Sequence, residues 1–442
     1  RRLTEISKIM DETCLPFIVW IGPRPLMLVS DPEEVKTITN NFLEKPYLYD
    51  FLRDWLGKGL VVAPGDIWKR NVKLIAGTFS GTMVDGFQEV FNIKAKELVE
   101  KLKGEIDKKP FDAMPYLANT TLAAICETGL GVSYKSDSKE SEQYYEAFKG
   151  ALELLVKRGL NLFHHFDFIY KFSSDHGKFI RNISIMHNVS NVVINQKMLE
   201  REKIHRSISI ENQNVEGKNK TFKTVLDVLL DLQEIDPSMD ESQIRSEVHT
   251  IIVGGQETVA LTLAYALLML GCHSDIQDKL FNEVNQIIGE KSNILKEDLC
   301  RLVYCEAVIQ ETLRLFPPIP IVTRHADRDL PIKSCVIPKG TLCSLSLWCA
   351  GRSRRAWGED ADEFVPERWL QSQSNSNPAF MPFSAGRRAC IGKRYAMAIL
   401  KTLLAHCIKD LVFESEAYKL EFRMDISLRA IRGNLLQVHL RH

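Results

Sequence analysis

A helical period of apolar residues runs from about residue 66 to about residue 320, and it constrains the fold of this chain more than any other feature. Apolar side chains that recur every three or four residues predict amphipathic helices. The segments with this period are 66–79, 84–104, 115–130, 141–157, 179–203, 222–234, 240–271, 274–288 and 296–315. One further helix is expected over about 392–410. The chain is therefore predicted to be mostly α.

Short runs typical of β-strands lie on either side of the helical stretch. The runs are 17–20, 25–29, 335–337 and 341–345. The first two are close enough to form a small hairpin. Two polar segments, 206–223 and 371–377, contain few core-forming residues and are expected to be a linker and a loop. These features add minor β-sheets to a mostly helical fold.

Charge and cysteine content exclude several classes of protein. The chain of 442 residues has 57 Lys and Arg against 57 Asp and Glu, so its formal net charge is zero. A nucleic-acid-binding protein normally has a basic excess, and we therefore expect no nucleic-acid partner. Ten cysteines occur without a C-x-x-C pair, which argues against a disulfide scaffold.

Apolar patterning gives little indication of a membrane span within the chain. The most apolar stretch, 259–271, is shorter than the roughly 20 residues that a bilayer requires. The chain begins at Arg1-Arg2 without an initiator Met. We therefore expect that an N-terminal targeting or membrane-anchoring segment is missing.

The segment from Phe383 to Gly392 has the most specific chemistry in the chain. Gly386 and Gly392 flank Cys390 and let the backbone turn tightly around the sulfur. Backbone N–H groups and the start of the following helix favour the thiolate over the thiol. Arg388 can hold an acidic group such as a carboxylate. A buried structural cysteine is the alternative interpretation, but the spacing F-x-x-G-x-R-x-C-x-G matches a known pattern.

This segment resembles the haem-binding loop of the cytochrome P450 family, which has a mostly α fold with minor β-sheets. The resemblance implies that Cys390 is the thiolate ligand of the iron in haem b. A thiolate ligand favours cleavage of the O–O bond. The resemblance also implies that Phe383 packs over the sulfur and that Arg388 binds a haem propionate. Gly386 and Gly392 would shape the loop that binds the cofactor.

A second set of motifs supports the resemblance. Glu311 and Arg314 stand three residues apart and share one face of a predicted helix. In isolation such a pair is usually an exposed ion pair of little energetic value. The later P-E-R-W segment, which contains Arg368, resembles the part of P450s whose arginine joins the E-x-x-R pair. The resemblance implies a structural triad of Glu311, Arg314 and Arg368 with no direct chemical step.

The third motif interrupts the apolar pattern of the helix predicted over 240–271. Gly254 and Gly255 are followed closely by Glu257 and Thr258. Thr258 can donate a hydrogen bond to the carbonyl oxygen of Gly254 and so widen the helix. A polar patch on the surface is the alternative interpretation. In P450s the corresponding notch lies over the haem where oxygen binds, and the resemblance implies that Glu257 and Thr258 deliver protons.

Two further positions match residues that bind haem propionates in P450s. Trp68 matches the tryptophan of the helix that covers one haem edge, and Arg324 matches the family's other propionate arginine. Core packing is the alternative role for Trp68. The basic residue that follows the tryptophan by four places in the family is Val72 here. Lys69 or Lys73 is therefore expected to take its place.

The resemblance covers about residues 16–440, and it is to the branch that contains fatty-acid ω-hydroxylases and many insect microsomal enzymes. Many members of that branch have a glutamate, esterified to a haem methyl group, at the position that aligns with Gly254. Because glycine has no side chain, we expect the haem to be held non-covalently. Glu247 lies about 10 Å earlier along the helix, which is too far to replace that glutamate.

The resemblance implies a single catalytic domain over residues 1–442. Its small β-rich part is expected at about 16–30 and 320–345, and its helical haem-binding part at about 66–320 and 383–410. The implied activity is that of a haem-thiolate monooxygenase, which inserts one oxygen atom of O2 into an apolar small molecule. Electrons would come from NADPH through NADPH–cytochrome P450 reductase, with cytochrome b5 as a second expected partner.

The implied location is the cytosolic face of the endoplasmic reticulum membrane, where an N-terminal helix holds microsomal P450s. The reductase would dock on a local basic face. Its residues are Lys69, Arg70, Lys73, Arg387, Lys393 and Arg394. The alternatives are a haem-thiolate isomerase or lyase of hydroperoxides and a non-catalytic haem protein, and the Glu257–Thr258 motif argues against both. Fatty acids, terpenoids and xenobiotics all remain open as substrates.

Overall fold

The structure is a computed structural model that describes residues 2–13, 15–22, 24–135, 138–210, 223–371, 377–417 and 420–441. Most of these residues are helical, as the apolar period predicted. The α-helices are α1 (Arg2–Thr13), α2 (Pro32–Asn41), α3 (Arg53–Leu56), α4 (Gly65–Ile75), α5 (Gly81–Gly86), α6 (Gln88–Lys103), α7 (Met114–Gly129), α8 (Lys139–Leu160), α9 (Asp167–Lys171), α10 (Ser174–Ile210), α11 (Val225–Gln233), α12 (Glu241–Cys272), α13 (Ser274–Ile288), α14 (Lys296–Leu299), α15 (Val303–Leu315), α16 (Leu347–Ala350), α17 (Arg354–Trp357) and α18 (Lys393–Asp410).

The strands form small sheets. They are β1 (Phe17–Ile21), β2 (Arg24–Val29), β3 (Phe111–Asp112), β4 (Ile321–His325), β5 (Leu330–Pro331), β6 (Val336–Ile337), β7 (Leu342–Ser346), β8 (Leu411–Glu414), β9 (Phe422–Met424), β10 (Leu428–Ala430) and β11 (Leu435–Leu440). β1 and β2 form the predicted antiparallel hairpin, with Phe17 opposite Leu28. β7 pairs with β2 in parallel and with β4 antiparallel, which gives the strand order β1-β2-β7-β4. The other sheets have the orders β3-β11-β8, β9-β10 and β5-β6.

Helix α12 lies in the middle of the hydrophobic core. It is apolar around most of its circumference, which is typical of a helix that is buried on all sides. Helix α7 packs so closely against it that a Cβ atom on Gly255 would lie 2.6 Å from Cγ1 of Ile125. Glycine at position 255 therefore permits this contact. By length and composition α12 could also cross a membrane, but 78% of its most apolar window is buried in the protein.

Local signals set some helix boundaries. The side chain of Asp31 accepts hydrogen bonds from the N–H groups of Glu33 and Glu34, at 3.0 and 3.1 Å, and so caps the N-terminus of α2. Pro32 is its first residue, where proline is favoured. Helix α13 has the predicted bounds and ends at Gly289, whose φ of 51° suits glycine.

The helix predicted over 179–203 has the wrong bounds. Helix α10 runs from Ser174 to Ile210, so the first residues of the polar segment 206–223 are helical rather than part of a linker. Polarity alone does not end a helix, and no glycine or proline occurs there before Gly217. The remainder of that segment, 211–222, and most of the expected loop at 371–377 lie outside the described residues.

The helix predicted over 296–315 is two helices, α14 and α15. The carboxylate of Glu283, on α13, accepts hydrogen bonds from the N–H groups of Tyr304 at 2.6 Å and Cys305 at 2.9 Å. These bonds satisfy the free N–H groups of a new helix start. A cap that comes from another helix leaves no trace in the local apolar period, which explains the error.

The predicted structural triad of Glu311, Arg314 and Arg368 is confirmed. The carboxylate of Glu311 accepts two bonds of 2.8 Å from Arg314 and one of 2.9 Å from Arg368. Trp369 Nε1 also donates to it, at 2.9 Å. Arg314 donates in addition to the carbonyl oxygens of Gly351, Ala361 and Glu363. The triad therefore fastens α15 to the segment that leads towards the Cys390 loop.

Candidate active site

The loop that starts at Phe383 turns back on itself. The N–H of Cys390 donates to the carbonyl oxygen of Phe383 at 2.9 Å. Gly386 has a φ of 70°, and a Cβ atom at this position would lie 2.5 Å from Oγ1 of Thr39. Ser384 also has a positive φ, of 61°, which is uncommon for a residue other than glycine. The conformation of the loop therefore requires glycine at 386.

Cys390 lies just before α18, whose N-terminal cap residue is Gly392. The positive end of the helix dipole is therefore close to the sulfur. In the protein alone, however, a further effect opposes the thiolate. Although part of the residue is open to solvent, desolvation of the thiol raises the pKa of Cys390, and the N–H of Gly392 opposes this effect only in part. A cation bound to the sulfur would reverse the balance, because a coordinated thiol is deprotonated.

Helix α12 is open on one side at the predicted notch. The hydroxyl of Thr258 donates to the carbonyl oxygen of Gly254 at 2.7 Å, as predicted. Gly254 is exposed, and no described atom outside its own helix backbone lies within 4 Å of a Cβ atom placed there. Gln256 and Glu257 are buried, which excludes a polar surface patch. An open space therefore borders the middle of a core helix.

The carboxylate of Glu257 is bound by residues that lie outside α12. Its Oε1 atom accepts a hydrogen bond of 2.7 Å from Arg429 Nη2 and one of 3.1 Å from Ser427 Oγ. Its Oε2 atom is buried and has no hydrogen-bond partner. In the part of the chain that the structure describes, no hydrogen bond joins Glu257 to Thr258. The sequence places the two residues side by side but does not indicate the contact with Arg429.

Three buried or partly buried cations, Lys45, Arg324 and Arg388, form a group that we call the cationic cluster. Arg324 is 1% exposed, and its Nε atom has no hydrogen-bond partner. Arg388 Nη2 donates to the carbonyl oxygen of Ala63 at 2.7 Å, while its Nε atom also lacks a partner. The guanidinium of Arg388 lies 5.0 Å from the ring centre of Trp68. The structure therefore brings together three of the predicted residues, Trp68, Arg324 and Arg388.

Like charges act on one another within the cationic cluster. Burial, and then the charge of Arg324, lowers the pKa of Arg388 to about 10. Burial also holds the pKa of Lys45 well below its usual value, with smaller effects from Arg324 and Arg388. Among the described residues, no carboxylate lies within ion-pair distance of any of the three. The cluster is therefore suited to a ligand with two negative groups, as the propionates of haem would be.

Lys45 is a member of this cluster that sequence reasoning missed. Its Nζ atom lies 4.4 Å from the ring centre of Tyr49, and the hydroxyl of Tyr49 accepts a bond of 3.4 Å from the N–H of Thr323. A single lysine before Pro46 has no motif around it. Only the approach of this segment to β4 gives it a place beside Arg324.

The family comparison agrees with this geometry. The model of the cytochrome P450 family matches residues 5–429. The chain belongs to the cytochrome P450 family. Cytochrome P450 4c21 of Blattella germanica is 31% identical over 435 residues, which are 95% of this chain and 85% of that protein. Cytochrome P450 4V2 of Mus musculus is 31% identical over 440 residues, 97% of this chain and 83% of that protein. Cytochrome P450 4g15 of Drosophila melanogaster is 27% identical over 487 aligned positions, 94% of this chain and 84% of that protein.

These similarities identify the chain as a P450 monooxygenase with the mostly α P450 fold, a family that uses haem and O2. Among the described residues of this P450, helix α4 supplies no cation to the group that contains Arg324 and Arg388. Val72 is partly buried against the core, and Lys69 and Lys73 are exposed. Arg70 donates to the side chains of its neighbour Asn71 and of Ser238. Within the described structure, the third cation near Arg324 and Arg388 is thus Lys45, which does not come from α4.

Both carboxylate oxygens of Glu247 in this P450 accept hydrogen bonds from neighbouring residues. Its Oε2 atom accepts a bond of 3.0 Å from the N–H of Leu60. Its Oε1 atom accepts bonds from Asn71 at 2.6 Å and Gln243 at 2.9 Å. The carboxylate therefore fastens the loop around Leu60 to α12, and Ala63 in the same loop accepts a bond from Arg388. Glu247 therefore supports the site by holding this loop, and its carboxylate is bound by Leu60, Asn71 and Gln243.

Proposed function

We propose that the chain is a haem-thiolate monooxygenase that inserts one atom of O2 into an apolar small molecule and is reduced by NADPH through NADPH–cytochrome P450 reductase. The observation that carries this proposal is the notch of α12, where Thr258 is bonded to Gly254 beside an open space and the buried carboxyl of Glu257 is the adjacent residue. A haem protein that only binds a ligand, or one that rearranges hydroperoxides, has no need of an acid and an alcohol there. Cytochrome b5 is proposed as a second redox partner.

The residues present fit haem b as the cofactor. Cys390 would be its iron ligand, with Phe383 packed over the sulfur and Gly386 and Gly392 shaping the loop. Arg324, Arg388 and Lys45 would hold the two propionates, beside Trp68. Their unpaired charges and free Nε donors support this role, because buried cations require anionic partners. Haem with a thiolate ligand supplies the activation of O2 when it is bound.

The chain itself would control protons and water. Thr258 donates its one hydroxyl proton to the carbonyl oxygen of Gly254, and it can pass a proton on when it exchanges this bond for one into the open space. Glu257 directly precedes Thr258 in the sequence and is proposed as the acid that supplies Thr258 with protons. Val259 and Leu261 on the following turn are buried, which limits the entry of bulk water from that side.

Two surfaces support the proposed partners. The side chains of the proposed basic docking face are largely solvent-exposed, and an exposed basic face attracts an acidic redox partner. The exposed members are Lys69, Lys73, Arg387, Lys393 and Arg394, whereas the sixth, Arg70, is partly buried and donates to Asn71 and Ser238. On the hairpin β1–β2, Trp20 is 65% exposed, and Leu162 would lie 3.5 Å from a Cβ atom on nearby Gly22. Phe163, Phe166 and Phe168 follow Leu162 and are largely exposed.

This aromatic surface supports a location on a membrane, because large exposed apolar patches mark membrane or protein contacts. We propose the cytosolic face of the endoplasmic reticulum membrane, with an N-terminal anchor as in microsomal P450s. The whole chain, residues 1–442, would then be a single catalytic domain. Fatty acids, terpenoids and xenobiotics all remain possible as the apolar substrate.

Reconstitution of the purified chain with reductase and NADPH tests the function. A library of apolar compounds is first screened for the Soret shift that follows loss of bound water, and the compound with the largest shift is used as the probe. A monooxygenase consumes NADPH in proportion to the hydroxylated product. Product from a fatty-acid hydroperoxide without NADPH would instead indicate an isomerase or lyase. Cys390→His should shift the absorption of the reduced carbon monoxide adduct and abolish turnover.

The expectation that haem is held non-covalently depends on Gly254 and can be tested directly. It has no side chain, and the carboxylate of Glu247 is occupied by Leu60, Asn71 and Gln243. We expect acidified organic solvent to extract intact haem from the purified protein. Haem that stays with the polypeptide through denaturing chromatography would contradict the proposed register of α12.

A further inference from the structure

A buried ion pair joins Glu257, at the notch of α12, to Arg429. The Glu257 side chain is 3% exposed and that of Arg429 is 12% exposed. Arg429 Nη2 lies 2.7 Å from Oε1 of Glu257, and its Nε atom donates to Ser427 Oγ at 3.3 Å. Ser427 donates to the same carboxylate oxygen. The three side chains therefore form a closed set of hydrogen bonds on one side of Glu257.

The hairpin of β9 and β10 holds Arg429 in position. Leu428 pairs with Met424 in this hairpin, and Arg429 pairs with Arg423. The hydroxyl of Tyr265, on α12, donates to the carbonyl oxygen of Leu428 at 2.8 Å. Helix α12 is thus fastened to the hairpin twice, at Glu257 and about two turns later at Tyr265. A hairpin fixed in this way leaves Arg429 little freedom to leave the carboxylate.

The two carboxylate oxygens of Glu257 differ in their hydrogen bonds. Oε2 is buried and has no hydrogen-bond partner, whereas Oε1 has two donors. A buried acceptor without a partner is unfavourable by itself. It is also the atom at which a proton can be taken up without disturbing the bonds to Ser427 and Arg429. The geometry thus divides the carboxylate into a fixed oxygen and a free one.

We infer that Arg429 is a positioning residue of the proton relay: it holds the carboxylate of Glu257 through Oε1, so that Oε2 takes up a proton and releases it towards Thr258. The inference rests on the proposed relay role of Glu257. The same proton enters and leaves at Oε2, so the carboxylate is restored after each transfer. The other titratable groups around the pair are Tyr144, Tyr145, Tyr265, Asp112 and Asp425.

A purely structural ion pair is the competing explanation, and the two differ in what they predict. If the pair only holds the hairpin, its loss should impair every reaction of the protein to the same extent. If Arg429 acts on the relay, its loss should impair only reactions that draw protons through Glu257. Oxidation driven by cumene hydroperoxide does not need this supply, since the hydroperoxide itself carries the proton that its leaving group, cumyl alcohol, takes up.

The variants are Arg429→Met, Arg429→Lys, Glu257→Gln and the double variant Arg429→Met with Glu257→Gln. Arg423→Met is the matched control, since it lies opposite Arg429 in the same hairpin and its side chain is about half exposed. Each holoprotein is assayed with reductase, NADPH and the probe compound that gives the largest Soret shift. The measured quantities are product and hydrogen peroxide per NADPH, the rate with cumene hydroperoxide, the pH profile and the thermal unfolding midpoint.

We expect Arg429→Met to lower the NADPH-driven product yield by about 10²-fold, as for loss of a general acid–base group, and to divert electrons to hydrogen peroxide. The rate with cumene hydroperoxide should match that of the Arg423→Met control. The acid limb of the NADPH-driven profile should move to higher pH, because a buried carboxylate without a cation favours its neutral form. Arg429→Lys keeps the charge and should restore most of the product yield.

The double variant separates the two hypotheses. If Arg429 acts through Glu257, adding Arg429→Met to Glu257→Gln should cause no further loss of product per NADPH. Equal losses in the NADPH-driven and peroxide-driven reactions, with a lower unfolding midpoint, would overturn the inference in favour of a structural pair. If Glu257→Gln leaves the yield unchanged, the proposed relay itself fails. If Glu257→Gln lowers the yield and Arg429→Met does not, only the role of Arg429 fails.

Discussion

The structure buries two arginine-rich groups that differ in whether their charges are balanced. In the structural triad, Glu311 accepts hydrogen bonds from Arg314 and Arg368, and Arg368 also pairs with Asp360 at 3.1 Å. Two carboxylates therefore face two guanidinium groups. In the cationic cluster of Lys45, Arg324 and Arg388, no carboxylate among the described residues pairs with any member, and two Nε atoms lack acceptors.

This difference separates a group that stabilises the chain from one that binds a ligand. Burial of a charge costs several kcal/mol unless a partner and further hydrogen bonds compensate for it. The triad has that compensation within the protein. The cationic cluster does not, and we expect the compensation to come from an anion that binds there. An unbalanced buried cluster is therefore an indication of a binding site, and a balanced one of a structural role.

The largest expected effect is on folding, from removal of the charge of Glu311. Glu311→Gln leaves the guanidinium groups of Arg314 and Arg368 buried without their shared carboxylate. Breaking one partner of a buried ion pair typically costs about 3–5 kcal/mol. That is a large part of the roughly 5–15 kcal/mol by which proteins are stable. We expect a strongly reduced yield of folded protein and a lower midpoint of urea unfolding.

Glu241→Gln is the matched control for this prediction. Glu241 pairs with Arg245 on an exposed helix face, and such pairs contribute at most about 1 kcal/mol. A midpoint for Glu311→Gln that equals that of the control would mean that the triad is not a structural group, and the comparison of the two clusters would fail.

An intermediate effect, with opposite signs in two states of the protein, is expected from Arg324→Met. In the haem-free protein the substitution removes a buried group with an unpaired donor, and we expect a gain of roughly 1–3 kcal/mol in the free energy of unfolding. In the haem-loaded protein the same substitution removes a partner of a propionate. We therefore expect faster transfer of haem to excess apomyoglobin, measured by absorption.

Arg328→Met is the control, since Arg328 is about half exposed and pairs with Asp327 on the surface. It should change neither quantity appreciably. A loss of stability in haem-free Arg324→Met would place Arg324 with the balanced, structural charges and would break the distinction drawn between the two clusters.

The sequence predicts the fold where the determinants of an element are local. The bounds of α13 and the presence of the β1–β2 hairpin follow from apolar spacing and turn residues. The break between α14 and α15 does not, because the cap that starts α15 comes from Glu283 on another helix. The true end of α10 does not follow from the sequence pattern either, because a polar segment does not stop a helix as glycine and proline do.

The site is predictable only where one segment contains several of its residues. The spacing around Cys390 identifies the loop, and the resemblance to P450s then adds Arg388, Arg324 and Trp68. Lys45 and Arg429 each stand alone in the sequence and reach the site through tertiary contacts, so no local pattern indicates them. The spacing around Cys390 indicates the helix dipole and the nearby N–H groups, but it does not indicate the burial that raises the pKa of the thiol in the protein alone.

The smallest expected effect concerns the pH dependence of haem-free protein and Lys45. Burial holds the pKa of Lys45 in the folded chain below its unfolded value of 10.5. Between these two values the unfolded chain binds more protons than the folded one, so stability should rise with pH and level off above 10.5. One full proton corresponds to about 1.4 kcal/mol per pH unit, and a partly exposed lysine should give a fraction of this slope.

Lys45→Met should remove the slope, while Lys36→Met, at an exposed position of α2, should retain it. Urea unfolding of the haem-free protein between neutral pH and pH 10 measures the effect. The haem-loaded protein should lack the slope, because a propionate beside Lys45 favours its charged form. If both forms show the same slope, Lys45 does not belong to the cationic cluster.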